Sequence, residues 1–147
     1  MGLDMYLTRR IFIGAEYEHR KITGSIQLFE DGKLMHIDVR KVSEIYESVG
    51  YWRKANHIHA WLVGNIQSSV DDCKDYYFNC DKIKELYDIC NKVLIDRGLA
   101  EELLPCVSGF FFGGSQYDEW YFSDIKDTVG ILKPLLNSHE IYYNSSW

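Results

Sequence analysis

The stretch YWRKANHIHAWLV runs from Tyr51 to Val63. As a strand it would place the imidazoles of His57 and His59 on one face; as a helix it sends them about 200° apart around the axis. Tyr51, Ala55, Ile58, Leu62 and Ile66 recur at i, i+4, i+7, i+11 and i+15, which is one apolar stripe of a helix. The spacing predicts an amphipathic helix over about residues 50–66. On such a helix His57 and His59 cannot share a metal ion, because helical pairs that do so stand at i and i+4, as in H-E-x-x-H. His59 falls on a flank with Trp52, Asn56 and Val63, and His57 falls towards the other edge with Arg53 and Trp61.

Outward from this stretch the chain changes character. Before it, LDMYLTRRIFI reads as a strand. SIQLF and KLMHIDV flank Glu30-Asp31-Gly32, a hairpin signal because Gly supplies the positive φ of a tight turn. VSEIYESV reads as a third strand. Behind the stretch, VDDCKDYYFNC reads as a loop. Asp81 then reads as an N-cap, with Ile83, Leu86, Cys90 and Leu94 on one helical face and Gly98 as the residue that closes it. GFFFGG (109–114) fits a short buried strand. Tyr121, Ile125, Thr128, Leu132 and Leu135 predict a third helix, which Pro134 should end or kink. EIYYNSSW reads as a last strand, placed beside the first. Strands gathered at the front with helices behind predict an α+β fold, a mainly antiparallel sheet packed against about three helices in a single domain, 1–147.

The composition bounds function. The chain has 147 residues, a formal net charge of −6 and 15% aromatic side chains. An acidic balance argues against duplex nucleic acid as the main partner, since phosphate backbones need a positive field, yet it permits one small anion in a local basic pocket. The aromatic surplus either fills the core or makes a stacking surface. The four cysteines, Cys73, Cys80, Cys90 and Cys106, form no C-x-x-C pair and read as buried apolar residues, so neither a zinc ribbon nor a redox pair is signalled. No secretory h-region and no apolar run of membrane-spanning length occurs, which leads to an expectation of a cytoplasmic protein without a membrane partner. No cofactor or metal motif is present, and no P-loop or G-x-S-x-G elbow.

The candidate chemistry is polar and aromatic. His59 is a candidate ligand contact, with Trp52 as a stacking plate, Asn56 as a two-way hydrogen-bonder, and Arg53 or Lys54 as a phosphate contact. Asp118, Glu119 and Trp120 put two carboxylates beside an aromatic ring; the pair could recognise ribose hydroxyls, or simply favour a helix start. Gly113-Gly114-Ser115 could cradle an anion. Asp71-Asp72 reads as a turn cap or a cation contact. A small-molecule ligand, nucleotide-like in kind, or a host protein are the partners these residues fit. The alternative is a small hydrolase or phosphodiesterase with His59 as general acid/base and Asp72 or Glu119 as its partner.

The opening MGLDMYL, the central YWRKANHIHAW, VDDC, LLP followed by GFFFG, YDEWYF and the terminal SSW occur in order along the whole chain. Together they resemble a family of small bacteriophage and prophage proteins, YWRKANxIHxW and YDEWYF being the most specific pieces. The resemblance implies a setting, a phage or mobile-element protein in a bacterial cytoplasm, and no reaction.

Overall fold

The computed structural model describes residues 2–14, 16–21, 25–109 and 113–147. The fold is α+β. Strands β1 (Asp4–Phe12), β4 (Glu44–Arg53), β5 (Tyr76–Tyr77) and β6 (Ile141–Ser146) form one sheet in the order β4-β1-β6-β5, while β2 (Leu28–Glu30) and β3 (Lys33–Met35) form a separate hairpin. The helices are α1 (Asn56–Ile66), α2 (Cys80–Ile95), the single turn α3 (Ala100–Leu103) and α4 (Glu119–Leu132). No described helix is long and apolar enough to cross a membrane.

The chain divides into two compact units, Arg10–Glu47 on one side of the division and Met1–Arg9 with Ser48–Trp147 on the other. The larger unit holds the core. Leu3, Met5 and Leu7 alternate inward at period two, and β6 answers them with Ile141, Tyr143 and Ser145, paired antiparallel so that Leu7 faces Tyr143 and Met5 faces Ser145. Helix α2 turns Ile83, Leu86, Cys90 and Val93 inward, and α4 turns Tyr121, Phe122, Ile125, Thr128 and Leu132. These two helices pack along each other. Each fully buried Leu or Ile stabilises the fold by about 1.5–3 kcal/mol.

Arg10–Glu47 is built differently. None of its described residues is buried. Its hairpin turns through Asp31 and Gly32, with φ of 49° and 75°, the two successive positive values of a type I′ turn. Leu28, Phe29, Leu34 and Met35 of the hairpin are all exposed. The Arg10 guanidinium lies 5.4 Å from the Tyr46 ring centroid.

Four sequence expectations need correction. The helix predicted from about residue 50 starts at Asn56. Tyr51, Trp52 and Arg53 belong to β4, where Trp52 points inward and its neighbours outward, and Lys54 N–H ends the pairing on the Leu3 carbonyl at 2.8 Å. Tyr51 matches the helical stripe only by coincidence of phase. Asn79, and not Asp81, caps α2, its side chain accepting from Lys82 N–H at 2.9 Å. Gly98 does not close α2; after Asp96 the chain passes through a 3-10 turn, Arg97–Leu99, into α3. The loop expected over VDDCKDYYFNC contains β5, which pairs Tyr76 with Tyr143. The strand expected at GFFFGG has its centre, 110–112, outside the described residues.

The other elements agree with their sequence signals. Pro134 ends α4, which tightens into a 3-10 turn at Lys133–Leu135. Strand β6 lies beside β1.

Candidate functional site

The site begins at the elbow between β4 and α1. Lys54 has φ of 61°, a left-handed value uncommon for a residue with a Cβ. Ala55 follows with φ of −75° and ψ of 70°, and Asn56 N–H donates to the Lys54 carbonyl at 2.8 Å, which together make an inverse γ-turn. The chain thus turns from strand to helix within two residues. Arg53 and Lys54 stand at the bend, and Asn56 and His57 open the first helical turn. No described side chain caps this N-terminus of α1.

Beyond the elbow the two histidines part, as helical geometry requires. The His57 ring packs on Tyr121 with centroids 4.2 Å apart. It is only 3% exposed, its Nε2 finds no hydrogen-bond partner among the described residues, and burial pulls its pKa down to about 4, which leaves the ring neutral at pH 7. His59 serves the opposite side of α1. Its Nδ1 lies 2.6 Å from the Tyr143 hydroxyl and its Nε2 2.9 Å from Asp71 Oδ2. A carboxylate only accepts, so Nε2 carries a hydrogen towards Asp71. His59 and Asp71 line a cavity of about 250 Å³ whose other walls include Ala60, Val63 and Val107.

His57 lines a larger cleft of about 310 Å³ between the elbow and α4. Arg53 and Lys54 line it from the elbow and Trp120 and Asp124 from α4. The intervening loop is tied down by three side chains. Asn56 Nδ2 donates to the Gly114 carbonyl at 2.8 Å while its Oδ1 accepts from Val107 N–H at 2.9 Å. The Tyr117 hydroxyl accepts from Cys106 N–H at 3.3 Å, and the Tyr121 hydroxyl donates to the Leu104 carbonyl at 2.8 Å. Gly113 closes the wall against Lys54. Its φ is 87°, and a Cβ there would stand 3.1 Å from Lys54 Cβ.

The electrostatics of the cleft are polarised. Asp124 is half-buried; its backbone carbonyl accepts from the Thr128 hydroxyl at 2.7 Å, and its carboxylate takes no hydrogen bond or ion pair from any described residue. Burial first, then the charges of Asp127 and Asp118, raise its pKa to about 6. The charges that move it are both carboxylates, so the cleft is lined by basic groups at the elbow and by a carboxylate on α4.

Of the residues singled out in sequence, Arg53, Lys54, Asn56, Gly113, Gly114, Asp118 and Trp120 line this cleft. Asp118 is already engaged as the N-cap of α4, accepting from Trp120 N–H at 3.0 Å and Tyr121 N–H at 3.1 Å, so that helix end offers no open anion cradle behind Gly113 and Gly114. Trp120 is 82% exposed. Trp52, in contrast, is 4% exposed and donates Nε1–H to the Thr128 hydroxyl at 2.8 Å, a core position and no stacking plate. The expected flank of Trp52, Asn56 and His59 therefore does not form, because Trp52 is on a strand. Glu119 pairs with Arg97 at 2.7 Å, and Asp72 pairs with Lys74 at 2.6 Å; neither meets His59. The carboxylate that does so is Asp71.

No protein-family model, curated protein or solved structure matches this chain. The residues sequence reasoning passed over are His57, set aside there with the other edge of the wheel, and Asp124. One signal for Asp124 was present: it follows Trp120 by four, so both stand on one face of α4. Among the described residues no three His, Cys, Asp or Glu side chains are grouped to hold a metal ion.

Proposed function

We propose that the protein is a non-catalytic binding module whose cleft takes a small anionic ligand bearing a flat ring, a mononucleotide being the best chemical match. The observation that carries this reading is the meeting of Arg53, Lys54, Trp120 and a buried His57, whose Nε2 has no hydrogen-bond partner among the described residues, in one cleft beside an α1 N-terminus that no described side chain caps. The first N–H groups of a helix and its dipole favour an anion. Arg offers a planar fork and Lys a point charge to the same phosphate. An exposed indole is costly to keep in water and gains about 1–3 kcal/mol when a base stacks on it. The cleft volume of about 310 Å³ sits at the small end of ligand pockets, the scale of one nucleotide and not of a dinucleotide. The chain's net charge of −6 means that the attraction is local to the elbow. A phage or mobile-element protein acting by occupancy in a bacterial cytoplasm fits this reading.

The test is a melting series with the four common nucleoside monophosphates and with inorganic phosphate, alongside native mass spectrometry of freshly purified protein. Saturation at about 100 times Kd should raise the melting temperature by about 5–10 °C. Arg53→Ala with Lys54→Ala should abolish the rise. An unchanged melting temperature with all five compounds, and no co-purified small molecule, overturns the reading.

A hydrolase built on His59 has one supporting observation, the Asp71 carboxylate 2.9 Å from Nε2. Against it, the other ring nitrogen is held by Tyr143, so neither nitrogen is left to take a proton from a substrate.

A further inference from the structure

We propose that the cleft selects guanine over adenine, with Asp124 reading the edge of the base and Trp120 its face. This rests on the nucleotide reading above and goes further, to the identity of the ring. Two polar groups in the cleft have hydrogen-bonding capacity that the described residues do not use. One is the Asp124 carboxylate, and the other is His57 Nε2. Half-buried and with Asp118 and Asp127 as its charged neighbours, Asp124 sits in an environment that penalises its charge, and no described residue donates a hydrogen bond to its carboxylate to offset the penalty. A ligand that brings donors does.

The chemistry of the two oxygens decides which ligand. An ionised carboxylate only accepts, and it accepts best from two parallel N–H groups on one planar edge. The Watson–Crick edge of guanine presents such a pair, the ring N1–H and the exocyclic amine. The corresponding edge of adenine presents one amine beside a bare ring nitrogen, whose lone pair would face the carboxylate and repel it. The layout of the cleft agrees with this orientation. The cations line the cleft from the elbow and Asp124 lines it from α4, and a nucleotide laid across it carries its phosphate to Arg53 and Lys54 and its base to Asp124. Trp120 precedes Asp124 by one helical turn on the same face, where side chains four apart stand as neighbours. Stacking itself is tolerant of base identity, so Trp120 supplies affinity and Asp124 the discrimination.

Titration calorimetry of the full chain with guanosine and adenosine monophosphates tests this. The guanine nucleotide should bind at least about tenfold more tightly, the scale of one bidentate pair. Asp124→Asn, which replaces one acceptor by a donor, should bring the two affinities within about threefold of each other, with the melting curve showing a folded protein. Equal affinities, tighter adenine binding, or an unchanged preference in Asp124→Asn would each overturn the guanine assignment and leave the nucleotide reading standing. Failure of both nucleotides to bind, together with the cytosine and uracil ones, would overturn both.

Discussion

Asn56 Nδ2 donates to the carbonyl of Gly114 across 58 residues of chain, at 2.8 Å. The same side chain accepts from Val107 N–H at 2.9 Å, so one buried amide holds both arms of the loop that walls the cleft. Asn56→Ala would leave a donor and an acceptor of that loop unpaired. Each such group costs about 1–3 kcal/mol, and the variant should lose about 2–4 kcal/mol in urea denaturation. Asn56→Asp keeps the acceptor towards Val107 and loses the donor, and should fall between the two. Limited proteolysis should cut the alanine variant within 107–114 before anywhere else in Ser48–Trp147; equal cutting rates in both proteins would refute the role.

The cleft makes a pH prediction in which two groups oppose each other. His57 titrates near 6.5 when unfolded and near 4 when folded, because burial disfavours its charge. Between those values the unfolded chain holds the proton and the native protein does not. His57 therefore contributes stability present above pH 6.5 and lost as pH falls towards 4, on the order of 3 kcal/mol in all. Asp124 runs the other way. Its folded value is raised from 3.8 to about 6, so the native state binds the proton first and gains stability as pH falls through that window. Its contribution is smaller, because the group is partly solvated. Urea midpoints at pH 7.5 and 4.5 should therefore fall less in His57→Gln than in wild type, and more in Asp124→Asn. A slope identical in all three proteins would show that neither group is perturbed.

Two tryptophans separate stability from binding. Trp120→Ala should change stability by no more than about 0.5 kcal/mol, since the side chain is 82% exposed, and should weaken guanosine monophosphate binding about tenfold or more. Trp52→Phe removes the hydrogen bond to Thr128 from a core site and should cost about 1–3 kcal/mol, with nucleotide affinity unchanged. Parallel melts and titrations check both. A large stability loss in the Trp120 variant would place that ring in the core.

Gly113→Ala tests how the loop meets the elbow. The position needs φ of 87°, and the new methyl would stand 3.1 Å from Lys54 Cβ and 3.2 Å from the Lys54 carbonyl. The cost should exceed about 1 kcal/mol. Phosphate-dependent stabilisation should fall with it, because Lys54 is displaced. An unaltered urea midpoint would mean that the wall does not press on the elbow.

Elements that are stabilised by their own neighbours in sequence were legible in the sequence. The hairpin at Asp31-Gly32, the buried faces of α2 and α4, the stop at Pro134 and the divergence of His57 from His59 all follow from local φ/ψ preference and the period of 3.6. The helix start was not legible. Tyr51 to Arg53 are extended because β1, about fifty residues earlier, offers them partners, and a stripe that happens to stay in phase cannot report a partner that distant. The cleft was legible in its parts and not in its assembly. Arg53, Asn56 and Trp120 were visible as polar and aromatic residues, but packing alone brings His57 onto Tyr121, sends His59 to Tyr143 and Asp71, buries Trp52, and sets the Asp124 carboxylate in the cleft without a hydrogen bond from a described residue. Local geometry determined which way each side chain leaves its helix; the long-range contacts of the sheet and α4 decided what each one meets.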